Sequence, residues 1–373
     1  MKMTRRERLT AIFEGRVPDR SAVKIWGASP AGELPDPAFL PIRKLAVQKT
    51  DLFHSAGSSF NIYSGANSEK VGEMHDEPTD SPEWVNQVCT LHTPQGDLRE
   101  VFLKSTRRKP GYHKEYFLKE PADLRKLLSL PYAPCPFSAD NYRAVDKTAG
   151  DSGITMFGLD HAMYATQRMI GSENFALWSM EADDLLLEAM QTFAARIREH
   201  AKAAIVAGIR GVFGWVGPEL CIPPLMSPTA FDRYVLALDK PLVDLIHEAG
   251  GKVWVHCHGK MSPVLQRFVA MGVDVLNPIE PPPMGDMTIA QAFSSAGTRM
   301  GLEGGIETHD FMTASKERLR ELIHTNLEMG RGRRFILGPS SGYAESVTPS
   351  PHEVENWLFY IDEAIRYAES LPA

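Results

Sequence analysis

From residue 209 onward, apolar runs of strand length alternate with amphipathic segments of helix length, and this alternation restricts the possible folds more than any other feature. Ile209-Arg-Gly-Val-Phe-Gly-Trp215 reads as a strand. Ser227-Pro228 then opens a helix with Phe231, Val235, Leu238, Leu242 and Leu245 at helical spacing, and Gly250-Gly251 stops it. The strand Lys252 to His256 follows, then a helix from Ser262-Pro263 to Gly272, then a strand from Val273. Thr298 to Leu302 and Arg334 to Leu337 supply two more strands, with a helix from about Ser315 to Met329 between them. Ser350-Pro351-His352-Glu353 has the form of a capping box with proline at the first helical position, opening a C-terminal helix. Continuous apolar strands between amphipathic helices mean a parallel sheet covered by helices or closed into a barrel. Ser21 to Trp26, Asp51 to Ser55 and Ile154 to Leu159 bring the strands to eight, which favours a (β/α)8 TIM barrel with an N-terminal helical extension. No GxGxxG follows any of these strands, so nothing supports a dinucleotide fold.

The stretch from Glu83 to Phe117 breaks the pattern. It alternates as Trp84-Val85-Asn86-Gln87-Val88 and Leu98-Arg99-Glu100-Val101-Phe102 around the turn Thr93-Pro94-Gln95-Gly96-Asp97. The reading is one barrel domain over 1–373 with an inserted β-hairpin at 83–120. The basic end of that insertion (Lys104, Arg107, Arg108, Lys109, Lys114) is either a solvated loop or a contact for an anionic substrate or partner.

Composition sets outer bounds. At 43% apolar and 23% charged residues over 373 positions, the chain can bury a full core. A net charge of −7 and the lack of a long basic tract argue against nucleic-acid binding. Met1 to Arg20 has no apolar core of the signal-peptide kind and no run is long enough to span a bilayer, so a cytoplasmic location is expected. Cys89, Cys135, Cys221 and Cys257 lack CxxC spacing, which suits reduced thiols.

The chemistry concentrates at Val253-Trp254-Val255-His256-Cys257-His258-Gly259. Side chains alternate along a strand, so His256 and His258 share one side and Cys257 takes the other. Glu280 ends the next apolar run, Val273-Asp274-Val275-Leu276-Asn277-Pro278-Ile279, and adjacent parallel strands bring all three to one mouth. Two His and one carboxylate form a set that zinc accepts with a position left open. The alternative is two histidines bonding loop backbone beside a carboxylate that neutralises them.

These segments resemble the uroporphyrinogen decarboxylase superfamily, and within it the zinc-dependent methyltransferases that act on methyl-corrinoid proteins. Thr4-Arg-Arg-Glu7 through Gly15-Arg-Val-Pro18-Asp19-Arg20 is similar to that superfamily's opening helix and turn, and Leu225-Met-Ser227-Pro228 through Gly250-Gly251 to its central helix. The resemblance implies a metal-dependent methyltransferase on a small substrate, with a corrinoid on a partner protein; a homodimer is one possible assembly, and the sequence does not identify the oligomeric state. In the methyltransferase branch the zinc ligands run HxC, then Glu, then Cys-Gly. Carried over by position, these fall on His256, His258, Glu280 and Ser341, so a His and a Ser stand where cysteines are expected. With both thiolates gone and a second imidazole in place of one of them, the metal would be a harder Lewis acid, suited to oxygen chemistry. The decarboxylases' RQAGRY segment is absent; the region reads Ile25-Trp26-Gly27-Ala28-Ser29-Pro30, with no arginine to clamp a polycarboxylate.

Three further residues are candidate catalytic groups. Glu219 follows the Ile209 strand and reads as a general acid/base or as the partner of an arginine. Glu303 ends the seventh strand beside Gly304-Gly305, which places it in the mouth. His161 follows the Ile154 strand and is a proton shuttle or a loop histidine held by hydrogen bonds. Cys221 is an extra soft ligand or a small buried hydrophobe. The competing functions are a metal hydrolase or lyase on the same barrel, and a barrel with a decayed site serving as a binding subunit.

Overall fold

The computed structural model describes residues 2–371 except 31, 58, 59 and 108, so Met1 and the Arg108 of the basic segment lie outside the described residues. Eight parallel strands form the barrel wall. They are β1 (Ala22–Val23), β2 (Leu52–Ala56), β7 (Gly153–Gly158), β8 (Val212–Val216), β9 (Lys252–His256), β10 (Val275–Ile279), β11 (Gly301–Ile306) and β12 (Phe335–Pro339). Four others, β3 (Gly72–Pro78), β4 (Trp84–Leu91), β5 (Leu98–Ser105) and β6 (Tyr112–Glu115), make a separate antiparallel sheet. The barrel order is β1-β12-β11-β10-β9-β8-β7-β2. Its two end strands meet through Asp51: the Asp51 N–H donates to the Val23 carbonyl, and the Val23 N–H donates to Asp51 Oδ2, both at 2.8 Å.

The barrel interior is closed from below. Thr4 and Glu7 cap the helix Arg5–Phe13 reciprocally. Its Leu9, Ile12 and Phe13 pack into one buried cluster with Ile154, Val212, Trp254, Val275 and Ile336, which come from five wall strands. Arg8 of this helix is buried and bridges Asp19 and Asp51 at 2.8 Å each, tying the plug to the closing seam. The opposite wall faces, with Phe157, Phe213, Val253, Val255 and Leu302, join the outer core beneath the helices. With the lower end plugged, ligands have access only from the C-terminal mouth.

Three sequence expectations need correction. The insertion is a four-stranded sheet beginning at Gly72, in place of a two-stranded hairpin from residue 83. The seventh barrel strand runs Gly301–Ile306, in place of Thr298 to Leu302, so Glu303 lies inside it. Ser350 caps the helix Pro351–Ser370 by accepting from the Glu353 N–H, but the Glu353 carboxylate turns to the Ser346 hydroxyl and leaves the capping box open. Within the insertion, Lys109 pairs with Glu83 at 2.9 Å and Lys104 with Asp76 at 4.0 Å. Among the described residues no helix is long and apolar enough to cross a membrane.

Candidate active site

Strands β9 and β10 build the centre of the mouth. His256 is in register with Asn277, and His256 Nδ1 meets Asn277 Oδ1 at 2.6 Å. Two residues on, beyond the strand end, His258 Nδ1 meets Glu280 Oε1 at 2.8 Å. The other oxygen, Glu280 Oε2, accepts the Gly259 N–H at 2.7 Å. The two imidazoles stand edge to face, 4.4 Å between centroids. Each ring is thus held at Nδ1 by a side chain of β10 or its following loop. Neither Nε2 has a hydrogen-bond partner among the described residues.

The three expected metal ligands are therefore brought together, but as hydrogen-bonded pairs. Both Glu280 oxygens are engaged, and among the described residues no group of three His, Cys, Asp or Glu side chains is arranged to hold a metal ion. Ser341, at the fourth ligand position, gives its hydroxyl to Glu345. As placed, these donors do not fit the three-ligand zinc shell expected from sequence. They offer two oriented imidazoles and a carboxylate spent on one of them.

The two histidines have different electrostatics. Burial holds His256 neutral and pulls its pKa down to about 3, with His258 and Lys24 adding to the effect against the Asn277 hydrogen bond. Burial also works against charge on His258. There the Glu280 hydrogen bond and charge, helped by Glu219 and Glu307, outweigh it and raise the imidazole above its ordinary value. Glu219, in the short turn Pro218–Cys221, accepts the Gly217 N–H at 3.1 Å. Burial raises its pKa, while His258 and His161 act in the opposite sense. Among the described residues no arginine pairs with Glu219.

His161 and Glu303 are committed elsewhere. His161 Nε2 meets Asp239 Oδ2 at 2.9 Å, and Nδ1 accepts the Tyr164 N–H at 3.4 Å as the cap of helix Ala162–Ile170, so neither nitrogen is free for a proton shuttle. Glu303 sits one layer below the mouth, where it accepts from Lys24 Nζ at 2.5 Å and from the Trp254 indole at 3.0 Å. Burial pushes the Cys221 thiol up to about 12, which suits a small packed hydrophobe better than a ligand.

Sequence reasoning missed Glu307, just past β11. Burial, then the charge of Glu280, raises its pKa to about 7, and its Oε1 is buried without a partner among the described residues. It also missed Lys24, whose position in Ala22-Val23-Lys24-Ile25-Trp26 was the available signal: a single charge at an inward place in an apolar strand. Lys24 opens onto a cavity of about 320 Å³ whose lining includes Trp26, Phe53, Met156, Gly214 and Trp254. Trp26 reaches from this cavity to His256, 4.4 Å between ring centroids and edge to face.

A solved structure agrees with this architecture. Over 97% of this chain and 99% of the other, the fold is similar to a methyltransferase from Methanosarcina mazei, with a TM-score of 0.61 at 15% identity. A B12-independent methionine synthase from Shewanella sp. W3-18-1, solved in complex with selenomethionine, aligns over 83% of this chain and 79% of its own at 10% identity and a TM-score of 0.44. A search of curated protein sequences gave no match. Residues 108–356 match the family described as Uroporphyrinogen decarboxylase (URO-D), a span running from the inserted sheet through β9 and β10 to the C-terminal helix. This chain belongs to the uroporphyrinogen decarboxylase family.

Proposed function

We propose that the chain is a methyltransferase of the URO-D-like type, moving a methyl group from an oxygen of a small substrate to a reduced corrinoid carried by a separate protein. The observation that carries this reading is the His258–Glu280 pair, with the open Nε2 of His258 at the barrel mouth. When an O–CH3 bond breaks with its electron pair left on oxygen, that oxygen must be protonated or otherwise stabilised. His258 charged at Nε2 gives the proton, and Glu280 keeps the ring oriented through Nδ1; such a general acid contributes about 10²–10⁴-fold. Glu219 and Glu307, whose charges favour the protonated form of His258, would help it regain the proton. The corrinoid supplies the nucleophile that receives the methyl group. Family membership and the barrel likeness to a methyltransferase support this reading. So does the N-terminal segment Ile25 to Pro30, which offers no arginine for a porphyrin's carboxylates.

The test is a screen of methoxylated and carboxylated small molecules with and without a reduced corrinoid. Demethylated product that forms only with the corrinoid is expected, and porphyrinogen decarboxylation should be undetectable. Equal turnover without any corrinoid would move the assignment to a hydrolase or lyase.

A further inference from the structure

We propose that the cavity beside His256 is a slot for an uncharged aromatic ring, so that the substrate is a neutral aryl methyl ether. This rests on the methyl-transfer reading for the word ether, but the ring specificity stands on the cavity itself.

The slot has a bulky aromatic side and a vacant side. Trp254, Phe53 and Trp26 supply the ring faces: Trp254 lies 5.4 Å from Trp26 and 6.1 Å from Phe53, both edge to face. On the adjoining strands the inward positions are small, with Ser55 on β2, Gly158 on β7 and Gly214 on β8. A Cβ at Gly214 would come within 2.4 Å of Met156 Sδ, so this glycine lets Met156 pack under the slot. A Cβ at Gly158 would meet nothing within 4 Å, which marks that wall as open space. At about 320 Å³ the cavity is at the small end of ligand sites and suits one substituted ring. Edge-to-face and offset contacts with its aromatic walls favour a planar guest.

Charge selects among planar guests. Among the described residues Lys24 is the only charged one lining the cavity, and it is already neutralised by Glu303 at 2.5 Å. An anionic ligand entering here meets a cation already spent, and its desolvation goes uncompensated. A cationic ligand fares no better. It would have to sit beside the Lys24 ammonium, which lies 4.0 Å from the Phe53 ring centre, 5.0 Å from Trp254 and 5.3 Å from Trp26, so two like charges would share one aromatic wall. Both Glu303 oxygens are taken, by Lys24 and by the Trp254 indole. What remains favourable is apolar ring burial, with the exposed Ser55 hydroxyl as a polar contact. Trp26 lines the cavity and also meets His256, which sets the slot next to the histidine pair.

The experiment is equilibrium binding to the full chain, followed by tryptophan fluorescence and calorimetry with no corrinoid present. The probes are methoxybenzene, 4-methoxybenzoate and tetramethylammonium. Methoxybenzene should bind at least about tenfold more tightly than either ion. Gly158→Leu, which fills open space without a clash, should weaken it by about tenfold or more while leaving the circular dichroism spectrum unchanged. Equal or tighter binding of either ion, no binding of methoxybenzene, or unchanged binding in a folded Gly158→Leu protein would overturn the proposal. Methoxybenzene that binds but never donates its methyl group would sink the methyl-transfer reading and leave the slot assignment standing. Turnover of alkyl methyl ethers without affinity for methoxybenzene would do the reverse.

Discussion

Lys24 and Glu303 are side chains of β1's continuation and β11, separated by 279 positions in sequence and 2.5 Å in space. Their side chains are 4% and 1% exposed. At that distance and an effective dielectric constant of about 20, the attraction is about 7 kcal/mol. Desolvation of both ions offsets much of it. The net value of the pair is therefore small, whereas breaking it is costly. Glu303→Gln strands an ammonium among three rings, and Lys24→Met strands a carboxylate held only by Trp254; each should cost about 3–5 kcal/mol. In the double variant no buried charge remains, and the amide oxygen introduced by Glu303→Gln still accepts from the Trp254 indole. Its loss should be about 1–2 kcal/mol, the range for an ordinary buried hydrogen-bond change. Urea denaturation of the four proteins, compared at equal m-values, gives the coupling energy directly. Single-variant losses that simply add in the double variant would refute the view that each charge is there only for the other.

Two other perturbations test separate parts of the structure. His200 packs against Phe60, Phe137 and Phe157, and burial holds its pKa at about 4 against an ordinary 6.5. The folded value is the lower one, so the unfolded chain binds more protons between those pH values, and stability falls as pH drops from 6.5 toward 4. His200→Phe should remove this share of the acid sensitivity in urea melts at about pH 7.5 and about pH 4.5, which bracket most of that window; the same loss between the two pH values in both proteins would contradict it. With Glu280 spent on His258 and Gly259, chelator treatment should change methyl transfer by no more than about twofold, against the large loss expected of a metal-ligand site. Activity lost to chelator and restored by zinc would return Glu280 to the ligand role read from sequence.

Much of the barrel is legible in the sequence because its signals are local. Five apolar runs between capped helices mark the second half, and Lys252 to His256 falls on β9 as expected. The inserted sheet is harder to read at its outer strand. Gly72–Pro78 reads Gly-Glu-Met-His-Asp-Glu-Pro, is exposed along nearly its whole length, and shows no apolar alternation to betray it. Strand β11 lies further along the chain than its pattern suggests because Gly304 and Gly305 lower its apparent strand propensity. Both are there for close packing: a Cβ at Gly304 would come within 2.6 Å of the Ile279 backbone, and one at Gly305 within 2.6 Å of the Asn326 side chain. That shift moves Glu303 from the mouth to the layer below. The gathering of His256, His258 and Glu280 follows from a period of two and neighbouring strands. Whether the carboxylate binds a metal or a histidine depends on a few ångströms of loop after β10, which no local pattern encodes. Lys24 and Glu303 are legible as oddities, but not as partners.

The central claim is that a methyl group leaves a substrate oxygen which the His258–Glu280 pair protonates. It is tested most directly by following methyl transfer to a reduced corrinoid from methoxybenzenes of graded leaving-group basicity, in the natural protein and in His258→Gln. The account predicts a loss of about 10²–10⁴-fold for the most basic phenolate, shrinking toward none for nitro-substituted rings whose phenolate needs no proton. The same loss across the whole series, or no methyl group reaching the corrinoid from any ether, would contradict it.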